Sequence, residues 1–336
     1  MAVAESEVIR LIRSFKRAIE ADEISQMALL ADKYLDMELS LNESIVALAE
    51  SITSLEDLGR RTYWQMQKLE TFQGFQIKLL AALDDYNVWV AENIREQQLR
   101  LFDLGERQAR AAVDAVVRGY SVKLTAAERN RIIAMVGNAG DGTPLASLLA
   151  KSGDFIRAKV TQELLKAVAR AQNPRLTAQA IRKATGMSLS RAMSIAKTEQ
   201  FRVYRETTLG NYRSAGIQYY QRLAARDPAT CLACLSQDGE IYTTEVSVDD
   251  HVGGRCTCVP LISGADNPEM EPAQSWFDRQ PESTKLAMMG PGRYDLYKSG
   301  AASWKDLAVH KTDPVWGGAW VPTPVSDLAG KMSAVA

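Results

Sequence analysis

The chain has 336 residues, 46% of them hydrophobic and 24% charged, with a formal net charge of −1. This length and mix allow about two domains with real cores and exclude wholesale disorder. The near-neutral charge excludes a protein whose main task is to coat nucleic acid or an anionic membrane, so any such contact must come from a local patch.

Glu5, Glu7 and Arg10 interrupt any hydrophobic region at the N-terminus, which is therefore not read as a secretory signal. No window reaches 18 consecutive apolar residues, so neither a membrane span nor a membrane partner is expected. A chain that stays in a reducing cytosol keeps its thiols available to metal rather than disulfide.

Residues 1–118 read as long amphipathic helices, forming a bundle or an extended arm. Val8, Ile12, Phe15 and Ile19 recur at helical spacing in the first. A second is expected over 23–39, and a third capped by Asn42 and carrying Ile45, Leu48 and Ile52. A fourth, over 58–104, carries Trp64, Leu69, Phe72, Leu80, Leu83 and Trp89, with Gly74 and Asp84-Asp85 as breaks. An alanine-rich helix follows over 108–120.

Residues 119–216 form a helical middle region. Thr125 resembles an N-cap, and the turn-rich 138–143 joins two helices; no Gly-Lys-Ser or Gly-Lys-Thr follows to make it a phosphate loop. Helices are expected from Pro144, over 153–171, and over 177–184 after a turn at Asn173-Pro174. Ser188 is read as the cap of a last helix, 189–215, ended by Gly216. That helix is the most basic in the chain. Arg191, Lys197, Arg202 and Arg205 are a solvated face on the plain reading, and contacts for DNA or an acidic protein on the sharper one.

The segment 217–262 holds all four cysteines and one of the two histidines. Strands are expected over 217–223 and 240–242, with Asp238-Gly239 as the turn before the second. Cys231 and Cys234 form a C-x2-C turn, and His251, Cys256 and Cys258 arrive later as H-x4-C-x-C. Two such halves can close a tetrahedron of sulfur and nitrogen around Zn²⁺. The segment is poor in large apolar residues, and a structural ion supplying about 10–16 kcal/mol of apparent binding energy would fasten it. The preferred ligands are Cys231, Cys234, His251 and Cys256, with Cys258 as an alternative for either of the last two. Disulfides, free thiols, a catalytic zinc and a Cys–His nucleophile are the competing readings. A deaminase is excluded by order, because His251 follows the cysteine pair. Glu240, Glu245, Asp249 and Asp250 are read as a solvated acidic loop.

Residues 263–336 are rich in aromatics set among Gly and Pro. They are expected to wrap over other parts, with a loose tail from Val321.

Three stretches together resemble the head morphogenesis, or minor capsid, proteins of tailed bacteriophages, including the Mu F-like group. The first is SLSRAMSIAKTEQFRVYRETTLGNY at Ser188–Tyr212, with its core Ile195, Ala196, Lys197, Thr198 and Glu199. The second is Asp227 with Cys231, Cys234, Asp238-Gly239, His251, Arg255, Cys256 and Pro260. The third is RQPESTKLAMMGPGRYDLYKSG at Arg279–Gly300. Many members carry H-P-x-C-R-C, where this chain has Gly254 at the first of those cysteines and Cys258 in addition. The resemblance implies a non-enzymatic virion protein, assembled in the host cytoplasm. It would contact the portal or major capsid protein and act in procapsid assembly or in DNA packaging or delivery. A nucleic-acid-binding zinc module that contacts phage DNA is the alternative, and a zinc or thiol hydrolase is a third reading. The expected fold is mainly α: long amphipathic helices followed by a small α+β module with a structural zinc site.

Overall fold

The computed structural model describes residues 6–53, 70–169, 174–227, 230–314 and 316–333. It is mainly helical, with long helices followed by a small sheet-containing module, as expected. Among the described residues five helices come first: α1 (Glu7–Thr53), α2 (Glu70–Val116), α3 (Ala126–Ile133), α4 (Leu145–Ala169) and α5 (Pro174–Ser214). Then follow β1 (Tyr219–Leu223), α6 (Leu232–Ser236), β2 (Ile241–Thr243) and β3 (Thr257–Leu261). The C-terminal part holds α7 (Ala273–Asp278), α8 (Glu282–Met289), α9 (Pro291–Lys298), a 3₁₀ turn (Trp304–Leu307), β4 (Ala308–Asp313), β5 (Gly317–Pro322) and α10 (Val325–Ser333). Among the described residues no helix is long and apolar enough to cross a membrane.

Among the described residues α1 and α5 each run unbroken through stretches that the sequence reading divides. Asn42 lies inside α1, where its side chain accepts a hydrogen bond from Arg182 instead of capping a helix. Gly74 and Asp84-Asp85 lie inside α2, and Gly153 inside α4. Gly186 and the buried Ser188 lie inside α5. A glycine costs a helix interior about 1 kcal/mol relative to alanine, a penalty that continuous packing on both sides outweighs. Trp64, Leu69 and Asn173 lie outside the described residues. Thr125 does cap α3, its hydroxyl accepting from the Glu128 amide, and Gly216 ends α5 with a φ of 75°.

The spacing of buried residues explains this continuity. Val8, Ile19, Leu30 and Leu41 are buried at intervals of eleven in α1, and Tyr34–Ile45 and Met37–Leu48 repeat the interval. In α2 the same interval links Phe72, Leu83 and Ile94, and again Leu79, Val90, Leu101 and Ala112. Eleven residues make three turns at 3.67 per turn, so the seam drifts little around the helix and one face stays buried along its length.

The chain groups into two compact units, each discontinuous in sequence. The helical unit comprises residues 22–96 and 143–196; the sheet unit comprises 1–21, 97–142 and 197–336. The sequence reading cuts the chain into consecutive stretches at 118, 216 and 262. The observed division instead falls inside α1, α2 and α5, because a long helix contributes different turns to different cores.

In the helical unit α1 and α2 run antiparallel. Gln26 bonds Asn93 at 3.0 Å, Tyr34 meets Tyr86 edge-on at 5.9 Å, and Lys78 reaches Ser44 at 3.3 Å. The Tyr34 hydroxyl donates to Thr185 of α5 and the Tyr86 hydroxyl to the Leu30 carbonyl, so both buried phenols are satisfied.

In the sheet unit the strands order β2-β1-β3, all antiparallel, with Tyr220 opposite both Tyr242 and Pro260. One core joins Val113 of α2 with Leu209 and Tyr212 of α5, Tyr220 of β1 and Cys258 of β3. A second gathers Phe277, Met289, Tyr294, Leu307 and Leu328 around Leu232 and Leu235 of α6. The C-terminal segment thus wraps α6, but it is more ordered than expected. Phe277, Tyr297 and Trp304 form an aromatic cluster, β4 and β5 form a hairpin, and the tail read as loose contains α10 with Leu328 buried.

Candidate metal centre

The C-x2-C pair sits at the start of α6. Cys231 is the N-cap residue, and its sulfur accepts the Cys234 amide at 3.2 Å. A negatively charged sulfur is favoured at such a helix start. The second half arrives on the loop between β2 and β3. Gly253, with a φ of 71°, turns that loop, and the Gly254 amide closes it on the His251 carbonyl at 2.8 Å.

Across this gap His251 Nε2 lies 2.9 Å from Cys231 Sγ and 3.3 Å from Cys234 Sγ. His251 Nδ1 lies 2.9 Å from the Val252 carbonyl. That carbonyl can only accept, so Nδ1 carries the proton and the Nε2 lone pair faces the sulfurs. Cys231, Cys234 and His251 form one group within metal-binding distance, and Cys234, Asp250 and Cys256 another that shares Cys234. The four preferred ligands thus fall in two overlapping groups joined through Cys234, and all four cysteines are free of disulfides. Cys258 belongs to neither group. It is fully buried in the core beside Tyr212, and burial pushes its thiol above the ordinary range. Cys258 lies within β3, where it pairs across to Arg222 of β1.

Asp250 is the member that the sequence reading missed, having placed it in a solvated acidic loop. Its carboxylate is wholly buried. It accepts from Arg222 at 3.1 Å, Arg205 at 3.4 Å, the Cys256 amide at 2.9 Å and the Cys234 thiol at 3.2 Å. Burial alone would raise its pKa, but the Arg222 and Arg205 guanidiniums outweigh burial and hold it at about 2. The only local signal was its position directly before His251. Gly254 lies against this carboxylate, and a Cβ there would collide with it. Of the other acids in that loop, Asp249 meets His310 of the β4–β5 hairpin at 2.7 Å, while Glu240 and Glu245 are exposed as expected.

The basic residues of α5 divide. Arg205 is 5% exposed, and besides Asp250 it donates to the Gly254 carbonyl at 3.1 Å, so it braces the metal loop and offers nothing to an outside phosphate. Arg202 donates to Glu199 and to the Asn138 carbonyl, both at 2.7 Å. Lys197 is half-buried, and Arg191 is exposed. At about 100° per residue Arg191, Arg202 and Arg205 share one stripe of α5, and the partners of Arg202 and Arg205 commit those two internally.

The electrostatics fit a metal held by thiolate. Arg222, Arg205 and Lys16 are all buried within reach of the cysteines, and the buried carboxylate of Asp250 and that of Glu20, 3.8 Å from Lys16, offset two of them. Burial depresses the Lys16 ammonium, and the neighbouring Cys256 opposes that shift. Such a surplus of buried cations is costly unless anions complete it, and deprotonated sulfurs are the anions at hand. As thiols the sulfurs share protons: hydrogen bonding from Cys234 pulls Cys231 down, and proton sharing followed by burial pushes Cys234 and Cys256 well up. Three sulfurs and one imidazole nitrogen suit a borderline-soft divalent ion. A cleft of about 720 Å³ opens elsewhere in the same unit, between Tyr120, Tyr219 and Ile241, and shares no lining residue with the cluster.

Fold and site together define a mainly helical protein whose small sheet module carries a buried Cys/His cluster able to hold a metal ion. No family model, no curated protein and no solved structure matches the chain.

Proposed function

We propose that the protein is a non-enzymatic minor component of a tailed-phage head. In this reading it binds the portal or major capsid protein, acts in procapsid assembly and in DNA packaging or delivery, and uses Zn²⁺ as a structural clip. Cys231, Cys234, His251 and Cys256 would hold the ion, which would cross-link the start of α6 to the loop between β2 and β3. The observation that supports the clip is that Cys231, Cys234 and His251 meet from two chain segments, with Cys256 joined to them through Cys234, beside buried cations. The donors are enough to close a tetrahedral site, which supports a structural role over a catalytic one. The viral assignment is supported by the three stretches at Ser188–Tyr212, Asp227–Pro260 and Arg279–Gly300. Arg202 and Arg205 are committed to internal partners, which weighs against the nucleic-acid module.

Elemental analysis of purified protein tests the clip: about one zinc per chain is expected, and metal-free, fully folded protein would remove it. Mass spectrometry of intact heads tests the viral role. The protein should co-purify with portal-containing particles in few copies, and its absence from every particle fraction would defeat that reading.

A further inference from the structure

Helix α1 carries two apolar seams, and only one of them is buried. The inner seam of the helical unit runs through Leu30, Tyr34, Met37, Leu41 and Ile45. Ile24, Leu35 and Val46 form an outer line at the same interval of eleven, with Leu39 one turn beyond Leu35. At about 100° per residue this line lies roughly 130° around the helix from the first. These four are 72%, 51%, 40% and 70% exposed, in the order Ile24, Leu35, Val46, Leu39. At a 1.5 Å rise the outer seam spans roughly 33 Å. A single exposed aliphatic needs no explanation, but a continuous stripe at constant phase marks a contact surface.

The flanks of the stripe state what fits it. On one side Arg182 of α5 reaches Glu38 and Asn42 and closes that edge. On the other, Asp32, Asp36, Glu43 and Glu50 form a row of exposed carboxylates alongside the aliphatics. From Asp22 to Glu50 the helix has seven acidic residues and one lysine. An apolar seam bordered by carboxylates is complementary to a helix whose own seam is bordered by Lys or Arg, and a like-charged copy laid antiparallel would bring the acidic rows together.

We propose that the outer face of α1 from Ile24 to Val46 is a docking site for a partner's amphipathic helix with an apolar seam flanked by basic residues. This refines the viral reading by stating the chemistry of the partner, yet it holds for any protein that presents such a helix. The test uses the full chain and two synthetic helices with leucines at eleven-residue repeats, one flanked by lysines and the other by glutamates. The lysine-flanked helix should bind about tenfold or more tightly than its glutamate twin. L35S/L39S and D36K/E43K should each lower its affinity about tenfold or more, with helicity and melting by circular dichroism unchanged. Equal binding of both peptides, or binding indifferent to these substitutions, would overturn the site. So would a dimer in sedimentation that L35S/L39S dissolves, because the occupant would then be a second copy. Particle co-purification is read separately, so the docking site and the viral role can fail independently.

Discussion

In the helical unit, Leu30, Tyr34, Leu83 and Val90 share their interior only with uncharged polar groups such as Gln26, Asn87 and Thr177, among the described residues. In the sheet unit, Arg205, Arg222, Glu199, Glu206 and Asp238 are as buried as the leucines around them. The first interior is held by area, which is insensitive to pH, salt and chelators. The second is held by charges that must find one another, and its energy is conditional. The difference teaches where the molecule spends its chemistry: beside its apolar cores the sheet unit also buries ion pairs and a Cys/His cluster.

The sharpest way to break the comparison is to deny the sheet unit the metal proposed for it. A chelator, or Cys256→Ser, should open residues 217–260 to limited proteolysis while α1 and α2 of the helical unit keep their protection against hydrogen exchange. The energy at stake is on the order of 10 kcal/mol of apparent metal affinity. Equal cleavage with and without chelator would contradict the clip.

Next in size is Asp250→Ala, which strands two buried guanidiniums. Loss of one partner of a buried pair costs about 3–5 kcal/mol, to be read by denaturant titration. Asp250→Asn should lose a smaller part, because it keeps the acceptor shape. Comparable in size but opposite in character is Leu83→Ala in α2, at 0% exposure. It should cost about 2–5 kcal/mol through transfer and cavity terms, and the loss should be the same with or without chelator.

A pH titration sharpens the contrast further. Glu128 is held below the ordinary 4.5 of a glutamate, first by its hydrogen bonds from Arg213, which outweigh burial. Its contribution is complete above about pH 4.5 and is lost as pH falls through the lower folded value, so the sheet unit should loosen in acid before the helical unit. Amide exchange resolved by segment would check the order of loss. The smallest effect is Thr125→Ala, which removes the cap of α3 and should cost about 1 kcal/mol, measurable as a small shift in melting temperature.

Much of this was legible in residue order. Helical periodicity marked the stretches that the long helices occupy, the cap at Thr125 and the stop at Gly216, and the Cys/His spacing marked the cluster that could hold a metal. Helix boundaries failed where Asn42, Gly74, Gly186 and Ser188 look like local punctuation. Each is a weak local preference, overridden by apolar seams that continue past it at the same phase. The cluster's brace failed for a different reason. Nothing in the order of residues brings Arg205 of α5 and Arg222 of β1 to Asp250, 45 and 28 positions away.

By itself the sequence determined the helical class, the short strands beside the cysteine segment, and a donor set with the chemistry of a metal ligand group. Those follow from local rules: periodicity, turn residues and the spacing of thiols on a short helix. Tertiary structure alone decided that Cys258 is core, that Asp250 is a buried anion, that Arg202 and Arg205 face inward, and that one apolar seam of α1 stays exposed. Each of these depends on which distant segment lies opposite, and burial and charge pairing are properties of that neighbour as much as of the residue.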